Sequence, residues 1–289
     1  MRQRQLHLST FPERVGRWLL AVCILLGLAS LVTVLVVYPT GAPVSADPGA
    51  PVVPWWVVLA PALAGIALAL VIPWRPPALP ALATASQALR RSSLALLGVA
   101  VAFPVVAAVG GLSGLSYGLV KVLMLVSVAA VIVGALGGVR IDRPSRAWRW
   151  WAPAVVVAAW TLLSQVAPWN PRYDAGGIDP VVLLVSAVMT ALTAGVAEEL
   201  FYRRWLQTRL EAWLGPWPGI AVATLAFALM HFASHGTGQP LLDGARFIVA
   251  QGSFGLLMGV LWWRYRNLTA VVVAHILANG WQAAAALLS

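Results

Sequence analysis

"PVVLLVSAVMTALTAGVAEELFYRRWL" (180–206) runs from an apolar stretch straight into two adjacent glutamates and then two arginines. Its first fifteen residues, Pro180 to Ala194, hold no charge. An apolar run that approaches 20 residues has the length of a membrane-spanning helix. A carboxylate at the end of such a run is costly unless it is paired, neutralised or used. Glu198 and Glu199 therefore set two questions: whether the whole chain is a membrane bundle, and what the pair does in it.

Composition answers the first. The 289 residues are 61% hydrophobic and 10% charged, where a soluble domain has about 25% charged. The chain is an integral membrane protein. Its net charge of +10, from 19 Lys+Arg against 9 Asp+Glu, would suggest nucleic acid in a soluble chain. Here the basic residues fall between apolar runs, so membrane topology accounts for them and no nucleic-acid partner is expected. One lysine, Lys121, stands beside 18 arginines, a usage that fits a high-GC bacterium. The single cysteine, Cys23, excludes an intrachain disulfide and a Cys-based zinc site.

Nine apolar segments are candidate spans: 18–38, 55–73, 93–113, 117–139, 151–168, 180–202, 218–235, 245–263 and 268–288. The predicted fold is thus all-α, a polytopic helix bundle. It divides into a basic leader (1–17), a five-span region (18–178) and a four-span region (179–289). The intervening arginines alternate. Arg2, Arg4, Arg14, Arg17, Arg75, Arg90, Arg91, Arg140, Arg143, Arg146, Arg149, Arg203, Arg204, Arg209, Arg264 and Arg266 fall on one side; Arg172 and Arg246 fall on the other. The positive-inside rule places the N-terminus in the cytoplasm and, with nine spans, the C-terminus outside a plasma (inner) membrane. The first apolar run follows a basic leader, and "VSA" at 44–46 resembles a cleavage site. The run is too long for a signal core and reads as a retained anchor. Lys121, near the outer end of the fourth span, reads as a side chain snorkelling to the interface. Trp18, Trp55, Trp74, Trp150, Trp169, Trp217 and Trp262 at span edges read as an aromatic belt.

Polar residues inside spans concentrate in the last 110 residues. Glu199 and Arg203 are spaced i,i+4 and can pair, whereas Glu198 points about 100° away and is free of that ion pair. Phe227 and His231 share a face, as do His275 and Asn279. If the sixth helix meets the cytoplasmic interface near Leu206, Glu198 lies about 12 Å inside. Similar counts put His275 about 10 Å, Asn279 about 16 Å and His231 about 15 Å inside, so one cytoplasm-facing cavity can gather all four. Small residues around them, among them Gly195, Ala197 and Gly280, either make room for substrate or let helices pack closely.

Three short motifs carry a family resemblance. "EELFYR" (198–203) matches EExxxR, "FALMH" (227–231) matches FxxxH and "HILAN" (275–279) matches HxxxN. Together and in this order they resemble the CPBP intramembrane proteases, which include CAAX prenyl endopeptidases and bacteriocin-processing proteins. The resemblance covers roughly 180–285. It implies an endopeptidase acting on a peptide or membrane-protein substrate within the lipid bilayer. Glu198 would activate water with His231 beside it, and His275 and Asn279 would stabilise the oxyanion. Glu199, Arg203 and Phe227 would be structural. Zn2+ held by Glu198, His231 and His275 is the alternative chemistry, since a catalytic zinc takes three protein ligands plus water. His235, i+4 from His231, is a weaker ligand candidate, and His7 reads as exposed. A non-catalytic immunity or scaffold protein and a proton-coupled transporter are the competing readings; no internal repeat supports the last.

Overall fold

The computed structural model describes residues 11–43, 50–74, 87–136, 146–171 and 177–288. Among these the chain forms nine helical rods, one for each predicted span. They are α1 (Phe11–Val37), α2 (Trp55–Val71), α3 (Gln87–Val109), α4 (Gly114–Ala135), α5 (146–166), α6 (Pro180–Leu214), α7 (Pro216–Leu229), α8 (Pro240–Tyr265) and α9 (Leu268–Leu288). Seven are long and apolar enough to cross a membrane, α7 when counted through His235. Rod α2 is apolar but only 17 residues long, and α5, which opens with Arg146 and Arg149, is not among the seven. Arg2, Arg4, His7, Arg75, Arg140, Arg143, Arg172 and the "VSA" stretch at 44–46 lie outside the described residues.

α8 is the centre of the bundle. Of its apolar window 67% is buried, against 11% for α1, whose faces turn outward. Small residues make this possible: a Cβ on Gly255 would stand 2.9 Å from the Phe227 ring, and one on Gly259 would stand 3.0 Å from Ile220. The Gly255–Gly259 spacing is the small-xxx-small pattern that lets two membrane helices approach, and it seats α7 on α8. On the opposite flank Gly65 of α2 admits Leu257.

Three hydrophobic cores join residues on the two sides of position 179. One core joins Leu96, Phe103 and Leu125 to Phe201, Tyr202 and Phe227. A second joins Val156 and Trp160 to Leu257 and Trp262. A third joins Val34 and Trp55 to Val249. All three draw on both regions. Trp55 and Trp262 are likewise not belt residues. Both are buried, and their indole N–H groups donate to the Tyr38 carbonyl (2.7 Å) and to Thr208 Oγ1 (3.0 Å). Trp18 and Trp74, at 75% and 84% exposure, do fit a belt.

α6 corrects a boundary. Its start follows the sequence: Asp179 caps it, accepting from the Val181 and Val182 amides, with Pro180 in the first turn. It does not end with the predicted span at residue 202 but continues to Leu214. There Gly215, at φ 97 and ψ 166, turns the chain in a conformation essentially reserved for glycine. The extra turns carry polar residues, and the bundle buries them with partners. Gln207 donates to Glu211 (2.7 Å) and to the Gly259 carbonyl (2.8 Å), and Arg266 pairs with Glu211. Arg264 likewise turns inward and donates to the Ala69 carbonyl at 3.0 Å.

Candidate active site

Glu198 and Glu199 sit in a single α-helical turn between two π-helical stretches, Ala191–Val196 and Leu200–Gln207. A π turn holds an extra residue and re-aims the side chains that follow, and such turns are frequent at functional sites. Here the two glutamates face different neighbours. Both are buried, at 2% and 0% exposure.

Glu199 faces α9 and its own helix. Its Oε2 accepts from Arg203 Nε at 3.1 Å, the pairing that the i,i+4 spacing predicted. Its Oε1 accepts from His275 Nδ1 at 2.7 Å. That second bond orients the imidazole and leaves Nε2 pointing toward Glu198, 3.9 Å from its Oε2. α9 comes this close because Gly195 has no side chain: a Cβ there would meet Ile276 at 2.5 Å. Of the two roles open to Gly195, close packing is the one the structure shows.

Glu198 is free of Arg203, as expected, but it is not free of a counter-ion. Its Oε1 pairs with Lys121 Nζ from α4. Lys121 is only 6% exposed, so it does not snorkel to an interface. A carboxylate in the bundle holds it where a flexible stem would otherwise carry the ammonium to water. The Tyr117 ring, one turn earlier on α4, lies 5.5 Å from the ammonium. Glu198 Oε2 has no hydrogen-bond partner among the described residues.

Phe227 is the hub of the site. Its ring lies 5.2 Å from His231, 6.0 Å from His275, 5.4 Å from Tyr202 and 5.0 Å from the Arg203 guanidinium. One aromatic ring thereby lies against both imidazoles and the Arg203 guanidinium. His231 stands just past the end of α7, half-buried, with Nδ1 3.0 Å from the Phe227 carbonyl. His235 stands in a further short turn, its Nδ1 2.7 Å from Ser234 Oγ. Asn279 lies one turn beyond His275 on α9 and is exposed. The structure thus gathers Glu198, Glu199, Arg203, Phe227 and His275 in direct contact. His231 joins them through Phe227, and Asn279 stands at the margin.

Two contributors escaped the sequence reading. Lys121 was visible as the sole lysine, placed inside an apolar run, which is itself a signal of function. Phe254, 5.1 Å from His275, left no signal, because an aromatic residue in an apolar helix looks like any core residue. The donor types suit zinc: in both imidazoles Nδ1 has a partner, an arrangement that presents Nε2 to a ligand. Among the described residues, however, no three His, Cys, Asp or Glu side chains are grouped closely enough to hold an ion.

Comparison with curated proteins and with solved structures gives no match. Residues 180–281, which hold all three motifs, match the Rce1-like family of type II CAAX prenyl endopeptidases, and on this region the chain is similar to that family, as the motifs indicated.

Proposed function

We propose that the protein is a membrane-embedded endopeptidase in which Glu198 is the general base. The observation that carries this reading is the free oxygen of Glu198. Oε2 is buried, has no hydrogen-bond partner among the described residues and stands 3.9 Å from His275 Nε2. One water molecule bridges a gap of that size. Glu198 takes a proton from this water as its oxygen attacks the scissile carbonyl, and returns it to the leaving amine. The carbonyl electrons move onto oxygen, where His275 and Asn279 donate to the oxyanion. Glu199 engages Nδ1, so Nε2 is the ring nitrogen of His275 left to meet the oxyanion. His231 lies beside the reacting centre. The substrate is a peptide precursor or membrane protein, cut near the cytoplasmic face.

The scheme is complete without a metal, and because no three ligands converge among the described residues, no step is assigned to one. Zinc on Glu198, His231 and His275 is a separate proposal. It predicts stoichiometric metal in active, chelator-washed protein, lost on His231→Ala or His275→Ala.

The test compares peptide termini in membranes that carry the intact protein or its Glu198→Gln variant. New termini present only with the intact protein identify the substrate. An identical set of termini, with both proteins folded and equally abundant, removes the endopeptidase reading in favour of a scaffold.

A further inference from the structure

We propose that Lys121 is a positioning residue for Glu198, supplied from outside the family-matched region; this rests on the reading of Glu198 as the base. A carboxylate has two oxygens, and the geometry divides them. Oε1 is held by the Lys121 ammonium, and Oε2 faces His275 Nε2. Without the ammonium the side chain is free to rotate about its terminal bond or to turn toward another cation, and no single oxygen is presented to the water. Lys121 is itself held in place. It lies on α4 against the Tyr117 ring, which packs on Phe103 of α3 at 5.3 Å. The lysine also offsets the desolvation of a carboxylate that is 2% exposed, a service a membrane bundle cannot obtain from water. The cation that completes the pair thus comes from the fourth helix, although the three motifs lie on α6 to α9.

Because Lys121 is the sole lysine, its amine can be read at a single site. Detergent-purified full-length protein is treated with an amine-reactive acetylating ester, and modification of the peptide carrying Lys121 is followed by mass spectrometry, apart from the N-terminal amine. We expect slow labelling in the intact protein and labelling at least about tenfold faster in Glu198→Gln, where the ion pair is gone. Equal rates overturn the pairing. The role is read with the substrate found in the membrane comparison. Lys121→Met should lower kcat at least about tenfold with KM changed less than twofold, and Lys121→Arg should recover part of kcat. Full kcat in Lys121→Met, with Glu198→Gln inactive, overturns the positioning role and leaves the base assignment standing. Full cleavage by Glu198→Gln removes the base assignment, whatever the labelling shows. If Lys121→Met does not fold, the labelling and Lys121→Arg decide: unchanged labelling on Glu198→Gln, or an Arg variant as inactive as Glu198→Gln, overturns the proposal.

Discussion

Two adjacent glutamates, alike in chemistry, are separated in role by what each touches. Glu199 accepts from Arg203 and from His275, and its loss would strand a fully buried guanidinium and release the imidazole. Glu199→Gln is expected to destabilise the fold by about 3–5 kcal/mol, the cost of breaking a buried pair, and to reduce cleavage with it. A thermal melt in detergent gives the first and cleavage rates the second. Glu198→Gln keeps the shape of the side chain and removes the carboxylate proposed as the base. Cleavage should fall at least about 10²-fold, while the melting temperature changes less than in Glu199→Gln; the opposite order would reverse the two roles. Asn279 tests the oxyanion scheme. Its loss to Ala should raise the barrier by about 2.7–4 kcal/mol and leave metal content unchanged, as measured by kinetics and elemental analysis of the same sample.

At the scale of elements, small residues set the distances on which the site depends. Gly195 brings α6 against Ile276 of α9, and that approach makes the Glu199–His275 bond possible. Gly195→Ala overpacks the crossing, and overpacking typically costs about 1–3 kcal/mol. We expect reduced stability and reduced cleavage, with Ile276→Ala in the same chain restoring part of both. If the second substitution adds a further loss instead, the crossing is not what limits the site. Gly255 plays the matching part between α8 and α7, where it leaves room for the Phe227 ring. The π-helical stretches around Glu198 and Glu199 complete the arrangement by sending one carboxylate to α4 and the other to α9.

Across the whole molecule, residues of the first two motifs share a core with α3 and α4. Phe201, Tyr202 and Phe227 pack with Leu96, Phe103 and Leu125, so a chain that begins at residue 179 leaves those faces without partners. Residues 179–289 expressed alone are expected to aggregate on extraction, where the full chain runs as a single species on size-exclusion chromatography. Orientation is a separate expectation, from the alternating arginines: reporter fusions should place 140–149 in the cytoplasm and 169–178 outside.

The amino-acid sequence by itself determined the all-α membrane class, the nine helical segments, seven of which among the described residues are long and apolar enough to cross a membrane, and the Glu199–Arg203 pair. Each of these follows from local rules: span length, hydropathy and the i,i+4 repeat. It also singled out Glu198, Phe227, His231 and His275, because polar groups inside apolar runs are conspicuous. Only the tertiary structure decided what those groups touch. Lys121 and Glu198 are 77 positions apart in the chain, and no periodicity links them; the packing of α4 on α6 does. For the same reason Arg264 and Arg266, assigned by their charge to a loop between spans, turned out to be buried with partners. Hydropathy registers the cost of burying a charge, and the partner that offsets it becomes visible only when the helices are brought together.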